Sequence, residues 1–132
     1  MIETVSIAFS PAFQALPFTA LIQLQMLQWL IEDFNCTNFK IVNEDADVYI
    51  FMNSELDGYC GNLAYGEYFG CYYWGGRLYL HDGLFGKKGD FSDWHYAWKY
   101  RRAVLRHEME HHFLPNYVHS GNENKLYRKN KC

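Results

Sequence analysis

This sequence of 132 residues lacks the features that identify exported and membrane-spanning proteins. No lysine or arginine precedes Lys40, so the N-terminal segment lacks the basic region of a secretory signal peptide. No apolar run reaches the roughly 18 residues that a membrane span requires. We therefore expect a protein that is cytoplasmic at synthesis and has no membrane partner. A phage or virus source is compatible with this pattern but is not established by it.

The cysteines lack the spacing of a metal site, since none of the four forms a Cys-x-x-Cys pair. This spacing argues against a zinc site built from thiolates. Cys60 and Cys71 could pair across a hairpin if the protein met an oxidising compartment. Because no export signal precedes them, we expect free thiols instead.

Positive charge is scarce in the first two thirds of the chain. Residues 1–86 hold two Lys or Arg and ten Asp or Glu, whereas residues 87–132 hold ten and five. We interpret the second part as one basic helix face plus a basic tail, because the total charge of −3 does not favour a nucleic-acid partner. The length fits a single domain, residues 1–132.

Short apolar and alternating segments predict the strands. Residues 4–9 alternate polar and apolar side chains, and residues 46–52 are almost continuously apolar, which favours a central strand. Residues 39–42 and 77–81 are predicted as further strands. Residues 58–89 contain nine of the ten glycines and many aromatics, which indicates loops around an irregular edge strand at residues 63–68.

Two longer segments predict helices. Thr19 is the predicted N-cap of a helix over residues 20–34. We expect that helix to pack into the core through a wide apolar stripe, which comprises Leu21, Leu24, Met26, Leu27, Leu30 and Ile31. Ser92 or Asp93 caps a second predicted helix, residues 94–113, which Pro115 ends.

The second helix has two predicted faces. One face carries Ala97, Tyr100, Val104, His107 and His111. The opposite face carries Lys99, Arg102, Arg106 and Glu110, and we expect it to be solvated.

Residues 107–111 of that helix read His-Glu-x-x-His. Positions i and i+4 of an α-helix lie about 40° apart and one turn up, so His107 and His111 leave the same face. Two imidazoles at this spacing can bind one Zn²⁺. Glu108, between them, can accept a proton from a zinc-bound water. The sequence therefore predicts a zinc site in which Glu108 is a base and not a ligand.

A catalytic zinc site needs a third protein ligand. His112 points elsewhere, because successive helical residues are about 100° apart. We prefer His119, since a turn at residues 114–116 would bring the chain back towards the helix and imidazole suits zinc better than a phenol. Tyr117 and Glu123 remain open as alternatives.

Two further histidines precede the motif. His81, which adjoins Asp82, could help to bind a structural ion, and His95 lies three turns before the motif on the predicted helix. We expect ordinary surface roles for both.

The motif resembles the signature of the metzincin metallopeptidases, in particular the matrixin-like branch. That signature reads His-Glu-x-x-His-x-x-Gly-x-x-His, often with a following Ser, and a later turn bears Met-Tyr. Residues 107–111, 119–120 and 126–127 are similar to these three parts. Seven residues separate His111 from His119, where the family has five, and Leu126 replaces the Met.

The upstream segments follow the same order as in that family. Residues 46–50 resemble its central strand, and residues 63–65 resemble the edge strand that lines its substrate cleft. Residues 76–82 resemble the strand that precedes its active-site helix. The resemblance implies a zincin-like α+β fold, in which a twisted, mostly parallel sheet of four or five strands carries two long helices on one face.

The resemblance also implies a zinc metalloendopeptidase. Zn²⁺ held by His107, His111 and His119 would activate the water, and Glu108 would accept its proton. An extended peptide or protein substrate would pair with the edge strand. The alternative is a non-catalytic protein that keeps zinc for stability, such as a virion-assembly component with a protease-like fold. The substrate preference and the oligomeric state stay open.

Overall fold

The computed structural model describes residues 3–55, 70–73, 75–85 and 94–114, with side chains described from residue 101 in the last range. Within these residues the chain forms five strands, which are β1 (Glu3–Phe9), β2 (Thr37–Ile41), β3 (Val48–Met52), β4 (Gly70–Tyr73) and β5 (Arg77–Leu80). The helices are α1 (Pro11–Gln14), α2 (Thr19–Asp33) and α3 (Trp94–Phe113). Two short 3-10 turns, Asn53–Glu55 and Asp82–Phe85, follow β3 and β5.

The five strands form one sheet in the order β2-β1-β3-β5-β4. Strands β2, β1, β3 and β5 are parallel, and only β4 runs antiparallel to its neighbour. The expected α+β class and mostly parallel sheet are therefore confirmed, and the strand predicted to be central is central. The edge strand predicted at residues 63–68 lies outside the described residues, whereas the short edge strand β4 was not predicted.

One face of the sheet carries the hydrophobic core. Register pairs Val5 with Phe39, Ile7 with Val48 and Ile50 with Leu78, and paired residues lie on the same face. These strand residues share a single buried cluster with side chains from both long helices, namely Met26, Trp29 and Leu30 of α2 and Val104, Leu105 and Met109 of α3. Both long helices therefore pack on one face, as expected.

Helix α2 buries a narrower stripe than its sequence predicts. Its buried residues are Gln23, Met26, Trp29 and Leu30. The predicted core residues Leu21, Leu24 and Ile31 are instead 67%, 58% and 40% exposed. This part of the prediction was wrong because α2 is apolar on most of its circumference, and hydrophobicity then does not determine which face meets the sheet.

The start of α2 also differs from the prediction. Phe18 is the N-cap residue, with φ at 58° in the left-handed region and no side-chain capping bond. Thr19 is the first helical residue, and its hydroxyl donates to the Phe13 carbonyl oxygen at 2.5 Å. The predicted Thr19 cap was wrong because the helix begins one residue earlier. The Phe18 carbonyl oxygen already accepts from the Ile22 amide at 3.1 Å, and Thr19 Oγ1 accepts from Gln23 Nε2 at 2.9 Å. A bulky residue at positive φ is a strained position.

Helix α3 has the predicted bounds. Arg102 binds both oxygens of Asp33 on α2, at 2.8 and 3.2 Å, and so ties the two long helices together. Glu110 was predicted to be solvated but is only 1% exposed, so that prediction was wrong. Helical phase tells which residues share a face, but not whether other parts of the chain cover that face.

The expectation of free thiols is contradicted at two positions. Cys36 and Cys71 are both disulfide-bonded. The expectation rested on a missing export signal, and such a signal does not report which cysteines the fold brings together. Cys60, the suggested partner of Cys71, lies outside the described residues.

The sequence predicted no membrane-spanning segment. Within the described ranges, no helix combines the length and the apolar character needed to cross a bilayer.

The turn between β4 and β5 provides a stability test. Gly75 and Gly76 both have positive φ, at 95° and 85°. A Cβ at Gly76 would lie 2.1 Å from the Asp47 carbonyl oxygen, whereas a Cβ at Gly75 would meet nothing within 4 Å. We expect Gly75→Ala to cost about 1–2 kcal/mol of backbone strain. Gly76→Ala should cost roughly 1–3 kcal/mol more, because the backbone of Asp47 must also move.

Urea unfolding of the two glycine variants at one pH would measure the difference. Gly75→Ala is the matched control, because it shares the turn and the sign of φ. Equal losses of unfolding free energy in the two variants would contradict the predicted clash.

Candidate metal centre

The C-terminal half of α3 carries the predicted metal ligands. Leu105 and Met109 anchor this half of the helix in the core, at 1% and 0% exposure. His107 and His111 flank that buried stripe and are both half-buried. The core contacts therefore fix the helix, while the two imidazoles keep partial access to solvent.

The two histidines and Glu108 form one compact group. Their potential ligand atoms all lie within 4.8 Å of one another. The imidazole rings of His107 and His111 are nearly perpendicular, with centroids 5.1 Å apart. His111 Nε2 lies 4.0 Å from Glu108 Oε1. The structure thus brings together the three motif residues that the sequence predicted, and does so within a single helical turn.

Glu108 is held between α3 and the edge strand β4. A Cβ on Gly70 would lie 3.0 Å from Glu108 Cγ and 3.0 Å from Val104 Cγ1. The absence of a side chain at Gly70 therefore lets β4 approach the helix closely. The same approach contributes to removing Glu108 from solvent, since its side chain is 5% exposed.

This burial changes the acidity of the carboxyl group. Desolvation raises the pKa of Glu108 to about 8, because an apolar environment disfavours the charged form. Without a cation nearby, Glu108 is therefore largely protonated at neutral pH. A cation between the two imidazoles would favour the carboxylate.

The donor set fits zinc. Neutral imidazole nitrogens are preferred zinc ligands, and two of them one helical turn apart can reach a single ion. His107 and His111 meet this requirement, and both side chains are partly exposed. The described residues supply no third imidazole to the group.

His112 does not join this group, as its helical phase predicted. Its Nδ1 lies 2.8 Å from the hydroxyl of Tyr72 on β4. Burial lowers the pKa of His112, and the negative charges of Asp47 and Glu3 oppose this shift only in part. Burial raises the pKa of the Tyr72 phenol. Both shifts favour the neutral forms, so an uncharged imidazole and an uncharged phenol share this hydrogen bond, and the tautomer of His112 sets which group donates.

Tyr72 is a residue of the site that the sequence did not reveal. Its ring stacks on His111, with centroids 6.5 Å apart and planes inclined by 15°. One aromatic side chain thus contacts a predicted ligand and the neighbouring histidine at once. Eleven tyrosines occur in the chain, and no local pattern distinguishes this one. Tyr72 is distinguished from the other tyrosines only by its position on β4, opposite α3.

The surface role expected for His81 was wrong. His81 is 5% exposed, and its Nδ1 accepts a hydrogen bond from the Gly83 amide at 2.9 Å. Asp82 Oδ1 accepts from the Ser54 amide, also at 2.9 Å. These bonds stabilise the turns that follow β3 and β5, so both side chains have a structural role in the fold. The side chain of His95 lies outside the described part of the chain.

Three residues were predicted as candidates for the third zinc ligand. His119, Tyr117 and Glu123 all lie outside the described residues, as do Leu126 and Tyr127. Helix α3 ends as predicted, with the Leu114 amide donating to the Glu110 carbonyl at 2.8 Å. The choice among the three candidates therefore stays a prediction.

The geometry is that of two imidazoles and a buried carboxyl group beside a strand edge. Such an arrangement can hold a metal ion and can move a proton next to it. No protein-family model matches the chain, and no curated protein sequence matches it.

Proposed function

We propose that this protein is a zinc-dependent metalloendopeptidase of the matrixin-like metzincin type. The observation that carries the proposal is the group formed by His107, Glu108 and His111, whose ligand atoms lie within 4.8 Å of one another. His107 and His111 would hold the ion, and His119 is the proposed third ligand. When bound, Zn²⁺ would polarise the scissile carbonyl and lower the pKa of a water molecule.

The chain itself supplies the proton transfer. Glu108 Oε1 lies 4.0 Å from His111 Nε2, so the carboxyl group would lie close to the proposed ion. Glu108 does not share the i, i+4 spacing of the two histidines, and we assign it the role of a base and not of a ligand. Its carboxylate would accept a proton from the attacking water and then donate it to the leaving amine. Burial raises the pKa of this carboxyl group, and a bound cation would lower it again, so Glu108 would be a carboxylate able to accept the proton when the ion is present.

The edge strand favours an extended peptide as the substrate. Strand β4 is at the end of the sheet, so one side of its backbone has no partner strand within the described residues. Gly70 on this strand lies directly against Glu108. An extended peptide that added to this edge would run past the proposed base. The order of the strands, with β3 at the centre and β4 at the edge, is also compatible with the resemblance to metzincins.

Zinc content is the first test of the proposal. We expect about one zinc per chain in protein purified without added metal, with the zinc lost from His107→Ala and retained by Glu108→Ala. The reason is that His107 donates to the ion and Glu108 does not. Elemental analysis of the three preparations would measure this, alongside cleavage of a fluorogenic peptide library by the wild-type protein.

Three outcomes would contradict the proposal in different ways. A metal-free preparation that gains no zinc on titration would exclude the site. Loss of zinc from Glu108→Ala would show that Glu108 is a ligand. Full zinc occupancy with four protein ligands and no bound water would indicate a purely structural site, in line with the alternative of a zinc-stabilised assembly protein.

A further inference from the structure

The outer side of α2 carries an exposed apolar stripe that neither the fold nor the proposed metal site uses. Leu21, Leu24 and Ile31 are 67%, 58% and 40% exposed, and Phe18, directly before the helix, is 80% exposed. With Gln28, which is also exposed, the three helical residues lie on one side of α2. We call Leu21, Leu24, Gln28 and Ile31 the outer stripe.

The outer stripe and Phe18 form a contiguous apolar patch. Single exposed apolar residues are common on folded proteins, whereas a contiguous patch of a few hundred Å² is often functional. If a large side chain has on the order of 150 Å² of surface, these fractions leave on the order of 400 Å² of apolar surface in water, Phe18 included. We propose that the outer stripe binds the same stripe of a second copy of this chain, forming an antiparallel, two-fold symmetric dimer.

The spacing of the stripe supports self-association. The four positions are separated by three, four and three residues, which is the seam spacing of a helix pair. This spacing reads the same in both directions, as a two-fold symmetric antiparallel contact requires. Leu21 then lies opposite Ile31 of the second copy, and Leu24 lies opposite Gln28 of the second copy.

The charges of α2 also favour an antiparallel arrangement. The helix has no acidic residue in its first turn and no basic residue in its last, and it ends with Glu32 and Asp33. Acidic groups are stabilising near a helix N-terminus and not near a C-terminus. Antiparallel pairing would place Glu32, which is 45% exposed and already forms an ion pair with Arg102 of its own copy at 3.1 Å, beside the N-terminus of the second α2.

The same charge pattern disfavours a lipid surface as the occupant. Residues 1–39 contain no lysine or arginine, so nothing on α2 would bind anionic headgroups. The outer stripe itself is uncharged, and two copies of it would meet without like-charge repulsion. The two stripes and the two Phe18 side chains together bring on the order of 800 Å² of apolar surface, which with polar flanks is in the size range of weak, transient interfaces. We therefore expect a dissociation constant in the micromolar range.

Sedimentation equilibrium of the full chain, from about 1 to about 300 µM, would test the dimer. We expect a monomer–dimer equilibrium that the double variant Leu21→Gln, Leu24→Gln weakens at least tenfold. Gln28→Leu should strengthen association several-fold, because it replaces a polar group at the centre of the contact. Lys40→Gln, at an exposed position of β2, is the control and should leave the equilibrium unchanged.

The variants alter exposed side chains, and circular dichroism would verify that each is folded. A wild-type protein that stays monomeric at the highest concentration would overturn the proposal. So would a double variant that dimerises as tightly as wild type, since the contact would then lie elsewhere. Binding of monomeric protein to phosphatidylcholine vesicles, lost in the double variant, would assign the stripe to a lipid surface instead. None of these outcomes depends on zinc binding.

Discussion

Replacing Glu108 with Gln is expected to lower peptide hydrolysis by roughly 10²–10⁴-fold, the usual contribution of a general base, while zinc stays bound. Glutamine has nearly the same shape as glutamate, so the contact with Gly70 is kept. It cannot accept the proton of the attacking water, because its amide is not basic. The measurement is kcat/KM on one peptide substrate, with zinc content determined on the same sample.

Glu110→Gln is the matched control, because Glu110 is the other buried glutamate of the described part of α3. It does not belong to the group of potential ligand atoms, so it should retain most of the activity. If Glu108→Gln cleaved peptides at the wild-type rate, the proposed mechanism would be excluded. If both variants lost activity equally, the effect would reflect the fold of α3 rather than proton transfer.

The same substitution should stabilise the zinc-free protein at neutral pH. The pKa of Glu108 is about 8 in the fold, against 4.5 for the free side chain. Because the folded pKa is raised, the stability of the wild type is fully present below about pH 4.5 and is lost as pH rises towards 8. At pH 7 the loss is roughly 3 kcal/mol, which a neutral Gln avoids.

Urea unfolding of both proteins in EDTA, at a series of pH values, would measure this difference. The advantage of Glu108→Gln should be small near pH 4 and should grow as pH rises to about 8. A difference that did not vary with pH would show that the buried carboxyl is not the cause. We therefore expect Glu108→Gln to lower the peptidase activity and to raise the free energy of unfolding. Such a combination is typical of a residue that is needed for function and destabilises the folded protein.

Replacing His119 with Ala is expected to weaken zinc binding by more than the roughly 10- to 100-fold that is lost when a residue that only hydrogen-bonds to a metal ligand is removed. Tyr117→Phe and Glu123→Gln should change the zinc affinity little. The structure argues against His112 as the third zinc ligand, because this histidine bonds to Tyr72 and does not join the group of His107, Glu108 and His111.

Chain length allows His119 to reach the site. Helix α3 ends at Phe113, and Pro115 follows closely. The four residues 115–118 must return across about one helix diameter, roughly 10 Å. Since extended residues span up to about 3.3–3.6 Å each, the distance is covered with slack. A phenol, in contrast, would first have to lose a proton that normally leaves near pH 10.

Zinc titration of the three variants against a competing chelator would decide between the candidates. If Glu123→Gln abolished binding and His119→Ala did not, the site would be of the His-His-Glu type and the metzincin assignment would fail. If all three variants bound zinc like the wild type, the third ligand would have to come from elsewhere in the chain.

Local sequence patterns were sufficient for the elements that repeat a simple period. Helix α3 has the bounds predicted for it, and four predicted strands (residues 4–9, 39–42, 46–52 and 77–81) match β1, β2, β3 and β5 within two residues at each end. The same local logic placed His107 and His111 one turn apart with Glu108 between them. These features depend on residues close in the chain, so helical and strand periodicity determine them.

Tertiary structure decided what depends on distant residues. The burial of Glu108 requires Gly70 on β4, and the bond of His112 requires Tyr72, 40 residues earlier in the chain. The exposure of Leu21 and Leu24 depends on which face meets the sheet in a helix whose apolar residues lie around most of its circumference. Periodicity assigns residues to faces, but only packing selects the face that is covered. For this reason the sequence by itself determined the composition of the candidate metal site, whereas the fold decided its acidity, its neighbours and the surface left exposed.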